Sequence, residues 1–91
     1  SYESLAPDKA NRLMEPFIIT LVPTDVEEFS THAGQEFLYV LQGEIKVQVG
    51  DRADFLKPGD AAYYDSNQPH LVRCAGTTAA KILAVLYAGP S

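Results

Sequence analysis

Short apolar runs, each followed by residues that favour turns, recur along almost the whole chain. Residues 44–49 (EIKVQV) alternate apolar and polar side chains, which is typical of a strand with one buried face, and Gly50 and Asp51 then form a hairpin turn. Residues 37–41 (FLYVL) are apolar at every position, which indicates a strand covered on both faces, the second cover being another sheet or another subunit. Strands this short, separated by Gly, Pro, Asn and Asp, predict an all-β sandwich or barrel.

The strand pattern begins at Met14 and divides the chain into two parts. We predict strands at residues 14–22, 37–41, 44–49, 52–56, 61–64, 70–74 and 79–87. Residues 1–13 are polar and weakly patterned, and we assign them to an N-terminal arm or linker. Residues 14–91 are assigned to one β-barrel domain, because 91 residues are enough for a single small core.

Charge and composition exclude several classes of protein. The formal net charge is −5, and the seven basic residues are scattered along the chain, so no direct contact with nucleic acid is expected from this domain. No apolar run is long enough to span a membrane, so no membrane contact is expected. Cys74 is the single cysteine, which rules out an intrachain disulfide and favours a reducing, cytoplasmic location.

His32, Glu36 and His70 are the side chains best suited to hold a metal ion or a polar ligand. If residues 32–36 were extended, the Cα atoms of His32 and Glu36 would lie about 13 Å apart, too far to share a metal. Gly34 supplies the bend that would bring them together. On spacing alone, a surface turn with a solvated Glu36 is an equally good interpretation, and a histidine after a loop, such as His70, is more often a structural residue.

Three more side chains on the predicted strands are candidates for a pocket. Cys74 lies four residues after His70 and shares its face of the strand, although a buried cysteine is usually a small apolar filler. A buried tyrosine hydroxyl needs a hydrogen-bond partner, so either Tyr63 or Tyr64 is expected to line a pocket. The sequence does not fix which of the two points inward.

Two segments of the chain resemble the two conserved motifs of the cupins. In the first, two histidine positions one residue apart are followed by a glutamate and, after six residues, a glycine. In the second, a Gly-Asp pair precedes a strand and a histidine. The matching residues are Ser30, His32, Glu36 and Gly43 for the first motif, and Gly59, Asp60 and His70 for the second. The resemblance covers residues 23–87 and implies a small β-barrel of the double-stranded β-helix, or jelly-roll, type.

The chain departs from the cupin pattern at three positions. Ser30 stands where the first metal-binding histidine is usual, Asp65 replaces a proline, and Cys74 replaces an asparagine. Three of the four usual protein ligands remain, and three such ligands can hold zinc, nickel, iron or manganese with water at the open positions. The metal ligands that the resemblance implies are His32, Glu36 and His70. Many cupins with incomplete motifs bind no metal.

Within the cupins, the chain is similar to the small C-terminal domain of bacterial helix-turn-helix transcription regulators of the XRE type. Residues 14–23 (MEPFIITLVP) and both motif strings support this likeness. It implies a sensor domain that binds a small anionic or polar molecule inside the barrel, forms a homodimer and biases an attached DNA-binding domain. No helix-turn-helix lies within the 91 residues, which agrees with an excised domain and equally with a stand-alone one.

Two other functions stay open at this point, although the pattern favours a protein that is not an enzyme. One is a metal-dependent dioxygenase, isomerase or epimerase, because two histidines and one carboxylate with open positions suit iron oxygenases. The other is a metal-free dimerisation module. Beyond the implied metal ligands, we expect the pocket to be lined by Ser30, Leu38, Val40, Tyr63, Tyr64, Val72 and Cys74.

Overall fold

The fold consists of two antiparallel sheets packed face to face. The computed structural model describes residues 1–11 and 13–88. The strands are β1 (Tyr2–Ser4), β2 (Met14–Leu21), β3 (Gln35–Gln42), β4 (Ile45–Val49), β5 (Arg52–Leu56), β6 (Ala61–Asp65), β7 (His70–Cys74) and β8 (Ala80–Tyr87). The large sheet has the order β1-β2-β8-β3-β6, and the small sheet has the order β5-β4-β7. The all-β jelly-roll prediction is confirmed. In the described part of the chain, no helix has the length and apolarity needed to cross a membrane.

The N-terminal arm contains a strand that the sequence did not predict. β1 pairs antiparallel with β2, Tyr2 lying opposite Ile19, and the amide of Leu5 donates to the carbonyl of Pro16 at 2.9 Å. Three residues are too few to show a periodicity, and the pairing uses backbone groups, which any sequence offers. The arm is therefore bound to the edge of the large sheet.

The core lies between the two sheets and is built from alternating positions. In β3, Leu38 and Val40 are 2% and 0% exposed, while Tyr39 and Leu41 between and after them are 38% and 46% exposed. β4 contributes the buried Ile45 from the small sheet. The expectation that residues 37–41 are covered on both faces is therefore not met within one protomer, since only one face packs on the core.

The outer face of the large sheet is apolar across four strands, and Lys9 and Leu13 of the N-terminal arm border it near Pro16 and Val85. The strand register places similar side chains side by side in two rows. One row is Pro16, Val85, Phe37 and Tyr63, and the other is Ile18, Leu83, Tyr39 and Ala61. We call these eight residues the outer apolar face.

The connection between β2 and β3, residues 22–34, runs along the free edge of β7. Isolated bridges join Pro23 to Cys74 and Ser30 to His70, so this connection extends the small sheet by an irregular fourth strand. It closes one side of the barrel and carries two of the candidate site residues.

Candidate metal centre

A tight turn before β3 brings His32 and Glu36 together. Gly34 has φ +106°, a conformation that L side chains rarely adopt, and a Cβ there would collide with the backbone carbonyl of Tyr87. The loop after β6 fixes both ends of the turn, because Ser66 donates its amide to the carbonyl of Gly34 and accepts from the amide of His32, each at 2.9 Å. The bend expected from the glycine is present.

His70 enters the site as the first residue of β7. Its amide donates to the carbonyl of Ser30 at 3.0 Å and its carbonyl accepts from the amide of Ser30 at 2.9 Å. This pairing holds the edge of the small sheet in register with the β2–β3 connection, and the imidazole, 5% exposed, lies in the interior.

The two imidazoles converge on one carboxylate oxygen. Nε2 of His70 lies 2.8 Å from Oε2 of Glu36, and Nε2 of His32 lies 3.2 Å from the same oxygen. The ring centroids of His32 and His70 are 5.1 Å apart and nearly perpendicular, and the three ligand atoms all lie within 4.8 Å of one another. Three side chains from distant parts of the sequence therefore form one cluster, which we call the triad.

The hydrogen bonds of the imidazoles show what the cluster needs at its centre. Nδ1 of His70 donates to the carbonyl of Gln68 at 2.9 Å, and Nδ1 of His32 donates to the carbonyl of Ala33 at 3.1 Å. A neutral imidazole whose Nδ1 donates offers only a lone pair at Nε2. Both lone pairs then face Oε2 of Glu36, so the cluster is balanced with a cation at its centre, a metal ion or a proton.

The spacing fits a divalent metal. At metal–ligand distances of about 2.0–2.2 Å, neighbouring ligand atoms lie roughly 3 Å apart. The two nitrogen–oxygen separations, 2.8 and 3.2 Å, fall on either side of that value. Two imidazoles and one carboxylate suit zinc, iron, nickel and manganese. The three side chains of the triad therefore fit a divalent metal ion of this kind.

Two hydroxyl groups stand behind the carboxylate. Oγ of Ser66, which is fully buried, donates to Oε2 of Glu36 at 2.9 Å. Tyr64 lies directly opposite Glu36 in the β3–β6 pairing, and its buried hydroxyl has no hydrogen-bond partner among the described residues. Burial and then the neighbouring Glu36 carboxylate raise the pKa of Tyr64, so the hydroxyl keeps its proton and remains a donor.

The triad opens onto a cavity of about 260 Å³ between the sheets. Apolar side chains of β2, β3 and β8 form its wall, among them Ile19, Leu38, Ile82 and Leu86. Tyr2 and Glu28 lie at the more exposed end of the lining. Such a cavity accepts a molecule of about metabolite size, smaller than a typical drug.

The predicted pocket residues fall into two groups. Ser30, Leu38 and Val72 line the cavity, whereas four others do not. Val40 is completely buried in the core, and Cys74 is buried with its thiol 3.1 Å from the carbonyl of Thr78.

Tyr63 and Tyr64 are adjacent in β6, so their side chains lie on opposite faces of the strand. Tyr63 points outward, is 69% exposed and does not line this cavity. Tyr64 points inward with its ring centroid 5.3 Å from that of His70, but it lies behind Glu36 and is not part of the cavity lining.

Three residues of the site were missed by sequence reasoning. Glu28 has the same parity as Ser30 and His32, a signal hidden because residues 22–34 were interpreted as a loop. Tyr2 belongs to the unpredicted strand β1. Ser66 carries no sequence signal, since a serine in a loop is commonplace.

Comparison with known proteins identifies the family. Residues 17–86 match the cupin domain profile. The chain belongs to the cupin family. Among curated cupin relatives, it is 34% identical over 94 residues to (S)-2-hydroxypropylphosphonic acid epoxidase of Streptomyces wedmorensis. The alignment covers 94% of this chain but 48% of that enzyme, so the chain spans about half the length of the relative.

Solved structures with the same cupin fold include that type of enzyme and two regulators. The iron(II) form of HppE in complex with substrate has a TM-score of 0.82 at 33% identity, covering 94% of this chain and 52% of the other. A cupin domain of an XRE family transcriptional regulator from Enterobacter cloacae has a TM-score of 0.84 at 21% identity over 100% and 97% of the two chains, which shows the fold alone. An HTH_3 family regulator from Vibrio cholerae has a TM-score of 0.80 at 27% identity, covering 99% of this chain and 51% of that one.

Proposed function

We propose that this cupin domain holds a divalent transition metal through His32, Glu36 and His70 and binds a small molecule in the adjoining cavity as the sensor part of a transcription regulator. The observation that carries the proposal is the convergence of two Nε2 lone pairs on one carboxylate oxygen at 2.8 and 3.2 Å. A bound metal supplies positive charge and open coordination positions for electron-donating groups of a ligand.

The protein groups around the metal have separate tasks. The backbone carbonyls of Gln68 and Ala33 hold the imidazoles in the tautomer that binds metal. Ser66 orients the carboxylate. The apolar wall removes water from the body of a ligand, and this burial favours binding in proportion to the apolar area covered.

Regulator-type cupins support the sensing role. The neighbour from Vibrio cholerae matches 99% of this chain but only 51% of its own length, so a domain like this one forms half of a longer regulator. If the ligand binds one conformation of the barrel more tightly than another, it shifts the protein toward that conformation. The size of the shift, and of its effect on an attached domain, is set by the difference in ligand affinity between the two conformations.

An enzyme is the second candidate, and a specific observation favours it. The 34% identical relative is named as an epoxidase, and an iron(II) form of HppE shares the fold at 33% identity. Two histidines and a carboxylate with open positions are also the ligand set of iron oxygenases. The relative's phosphonic acid substrate is anionic, whereas no Lys or Arg is among the described residues that line this cavity. We therefore do not carry that substrate over.

The outer apolar face supports the homodimer that we also propose. It joins eight residues of four strands without a charged side chain, and contiguous apolar surface of this kind marks interaction sites. A second copy covering it would provide the second cover that residues 37–41 lack within one protomer.

Elemental analysis of purified, untagged protein tests the metal site. We expect about one equivalent of a transition metal, or one equivalent taken up by dialysed protein from iron(II), cobalt(II) or zinc(II). His70→Ala and Glu36→Gln should lose it, because each removes one of three ligands, while Asp51→Asn in the exposed hairpin turn should retain it. A metal content that is negligible, or equal in His70→Ala and wild type, contradicts the proposal.

Sensing and catalysis are then separated with the metal-loaded protein. A small molecule that raises Tm only when metal is present supports a sensor, because ligand binding to the folded state alone stabilises it. Oxygen consumption by the iron(II) form with a bound candidate molecule would instead support the enzyme. No Tm shift with any of a broad panel of metabolites contradicts the sensor.

A further inference from the structure

Glu28 brings a second carboxylate to the cavity that the triad opens onto. Glu28, Ser30 and His32 are each two residues apart, so their side chains share one face of this extended segment, and all three line the cavity. Ser30 pairs antiparallel with His70, and both Glu28 and Val72 line the cavity. Two residues of extended chain separate the backbones of Glu28 and Ser30 by roughly 7 Å, so Glu28 joins the lining at a point apart from the triad.

The neighbouring Glu27 shows that Glu28 is not simply one of a pair of surface carboxylates. Oε2 of Glu27 lies 2.8 Å from Nζ of Lys46 and 2.8 Å from Nε of Arg73. The side chain of Glu28 turns the other way, toward the cavity, and has no ion pair or hydrogen bond among the described residues. The two available cations are thus already engaged outside the cavity.

The fixed charges of the cavity are unevenly distributed. Apart from the histidines of the triad, no basic side chain is among the described residues of its lining. A metal ion at the triad offsets the charge of Glu36 and leaves positive charge at that end. The carboxylate of Glu28 is exposed and has no ion-pair partner among the described residues, and the apolar side chains of Leu38 and Val72 also line the cavity.

We infer that the ligand is a small zwitterionic or amine-bearing molecule, with a metal-binding group such as a carboxylate at one end and a cationic group roughly 7 Å away that pairs with Glu28. The inference rests on the proposed metal-dependent binding function and narrows its ligand class. It replaces the expectation of a simply anionic molecule, because an added anion at the Glu28 end would be repelled.

Three probes of equal length test the ligand class on the cobalt(II)-loaded protein. 5-Aminopentanoate carries a carboxylate and an ammonium, hexanoate replaces the ammonium with a methyl group, and adipate replaces it with a second carboxylate. We expect 5-aminopentanoate to bind about fivefold more tightly than hexanoate, the usual upper size for a partly exposed ion pair, and adipate to bind more weakly than either. Isothermal titration calorimetry gives Kd, and the cobalt absorption spectrum reports coordination by the probe.

Two charge-matched variants isolate Glu28. Glu28→Gln should bring the three affinities within about twofold of one another, whereas Asp25→Asn, which removes the same charge on the same connection and outside the cavity lining, should preserve the preference. Three results would each contradict the proposed ligand class: equal affinities of the three probes for wild type, a preference that survives Glu28→Gln, or no binding of any probe to cobalt-loaded protein. None of these results contradicts the proposed metal site. Failure to take up cobalt overturns the proposed function and this inference together.

Discussion

At the scale of single residues, the site depends on where protons lie. The tautomer of each imidazole is set by a backbone carbonyl, and the carboxylate of Glu36 is set by the Ser66 hydroxyl. Groups that orient metal ligands in this way are worth about 10- to 100-fold in metal affinity. Under the proposed metal binding, Ser66 is therefore a positioning residue, because its hydroxyl donates to Glu36 without being a ligand itself.

Removing the hydroxyls of Ser66 and Tyr64 should weaken the metal site without unfolding the protein. We expect Ser66→Ala to lower cobalt(II) affinity about 10- to 100-fold, because the backbone bonds of residue 66 to His32 and Gly34 survive the change. Tyr64→Phe should lower it less, since the hydroxyl makes no hydrogen bond within the described residues. Metal titration and the cobalt spectrum measure the effect.

A buried serine elsewhere provides the control. The hydroxyl of Ser4 is also buried but lies on β1, away from the triad, and has no partner among the described residues. Ser4→Ala should leave cobalt affinity unchanged. If Ser66→Ala binds cobalt as tightly as Ser4→Ala does, the positioning role is wrong.

Residue identity predicted the triad better than it predicted the pocket. His32, Glu36 and His70 could be named because their spacing repeats a motif and because Gly34 supplies a bend. The sequence could not show which of Tyr63 and Tyr64 faces inward. Side chains alternate between the two faces of a strand, but the alternation does not say which face is the inner one. The inner face is fixed by the pairing of β6 with β3, which is a long-range contact and is not encoded in either strand alone.

At the scale of elements, the β2–β3 connection behaves as part of the small sheet. The bridges of Pro23 and Ser30 to β7 hold its two ends, and Glu27 holds its middle to Lys46 of β4 and Arg73 of β7. Strands β2 to β8 were predictable from apolar alternation and turn residues. This connection was not, because its backbone pairing leaves no hydrophobic period in residues 22–34.

The Glu27 contacts make the stability of this element depend on pH. Hydrogen bonds from Lys46 and then Arg73 hold the pKa of Glu27 below its ordinary value of 4.5. A depressed carboxyl pKa stabilises the fold fully above the unfolded-state pKa, and the contribution is lost as pH falls through the lower folded-state value. Glu27→Gln should therefore lower Tm at pH 7.

Thermal unfolding across pH 2 to 7 measures this contribution. The gap in Tm between wild type and Glu27→Gln should be constant near neutrality and narrow progressively below about pH 4.5. Asp25→Asn, on the same connection, is the matched control and should show no such gap. A gap that persists unchanged at pH 2 would rule out the ion pairs as its source.

At the scale of the whole molecule, the two sheets differ in what they present to solvent. The outer face of the small sheet carries Lys46 and Gln48 beside the exposed Phe55, whereas the outer apolar face of the large sheet carries no charge. Two copies that each carry a net charge of −5 repel each other least where they meet at a neutral surface. The large sheet offers that surface.

Charged substitutions on this face should therefore dissociate the proposed homodimer. Tyr63→Lys places an ammonium on the large sheet at a position that is 69% exposed in one protomer, so it costs the isolated fold little but would bury a charge in the dimer. Phe55→Lys makes the same change on the small sheet. Light scattering coupled to size exclusion should show a dimer for wild type and Phe55→Lys and a monomer for Tyr63→Lys. A wild-type monomer at micromolar concentration, or equal dissociation by both variants, would show that the large sheet is not the dimer surface.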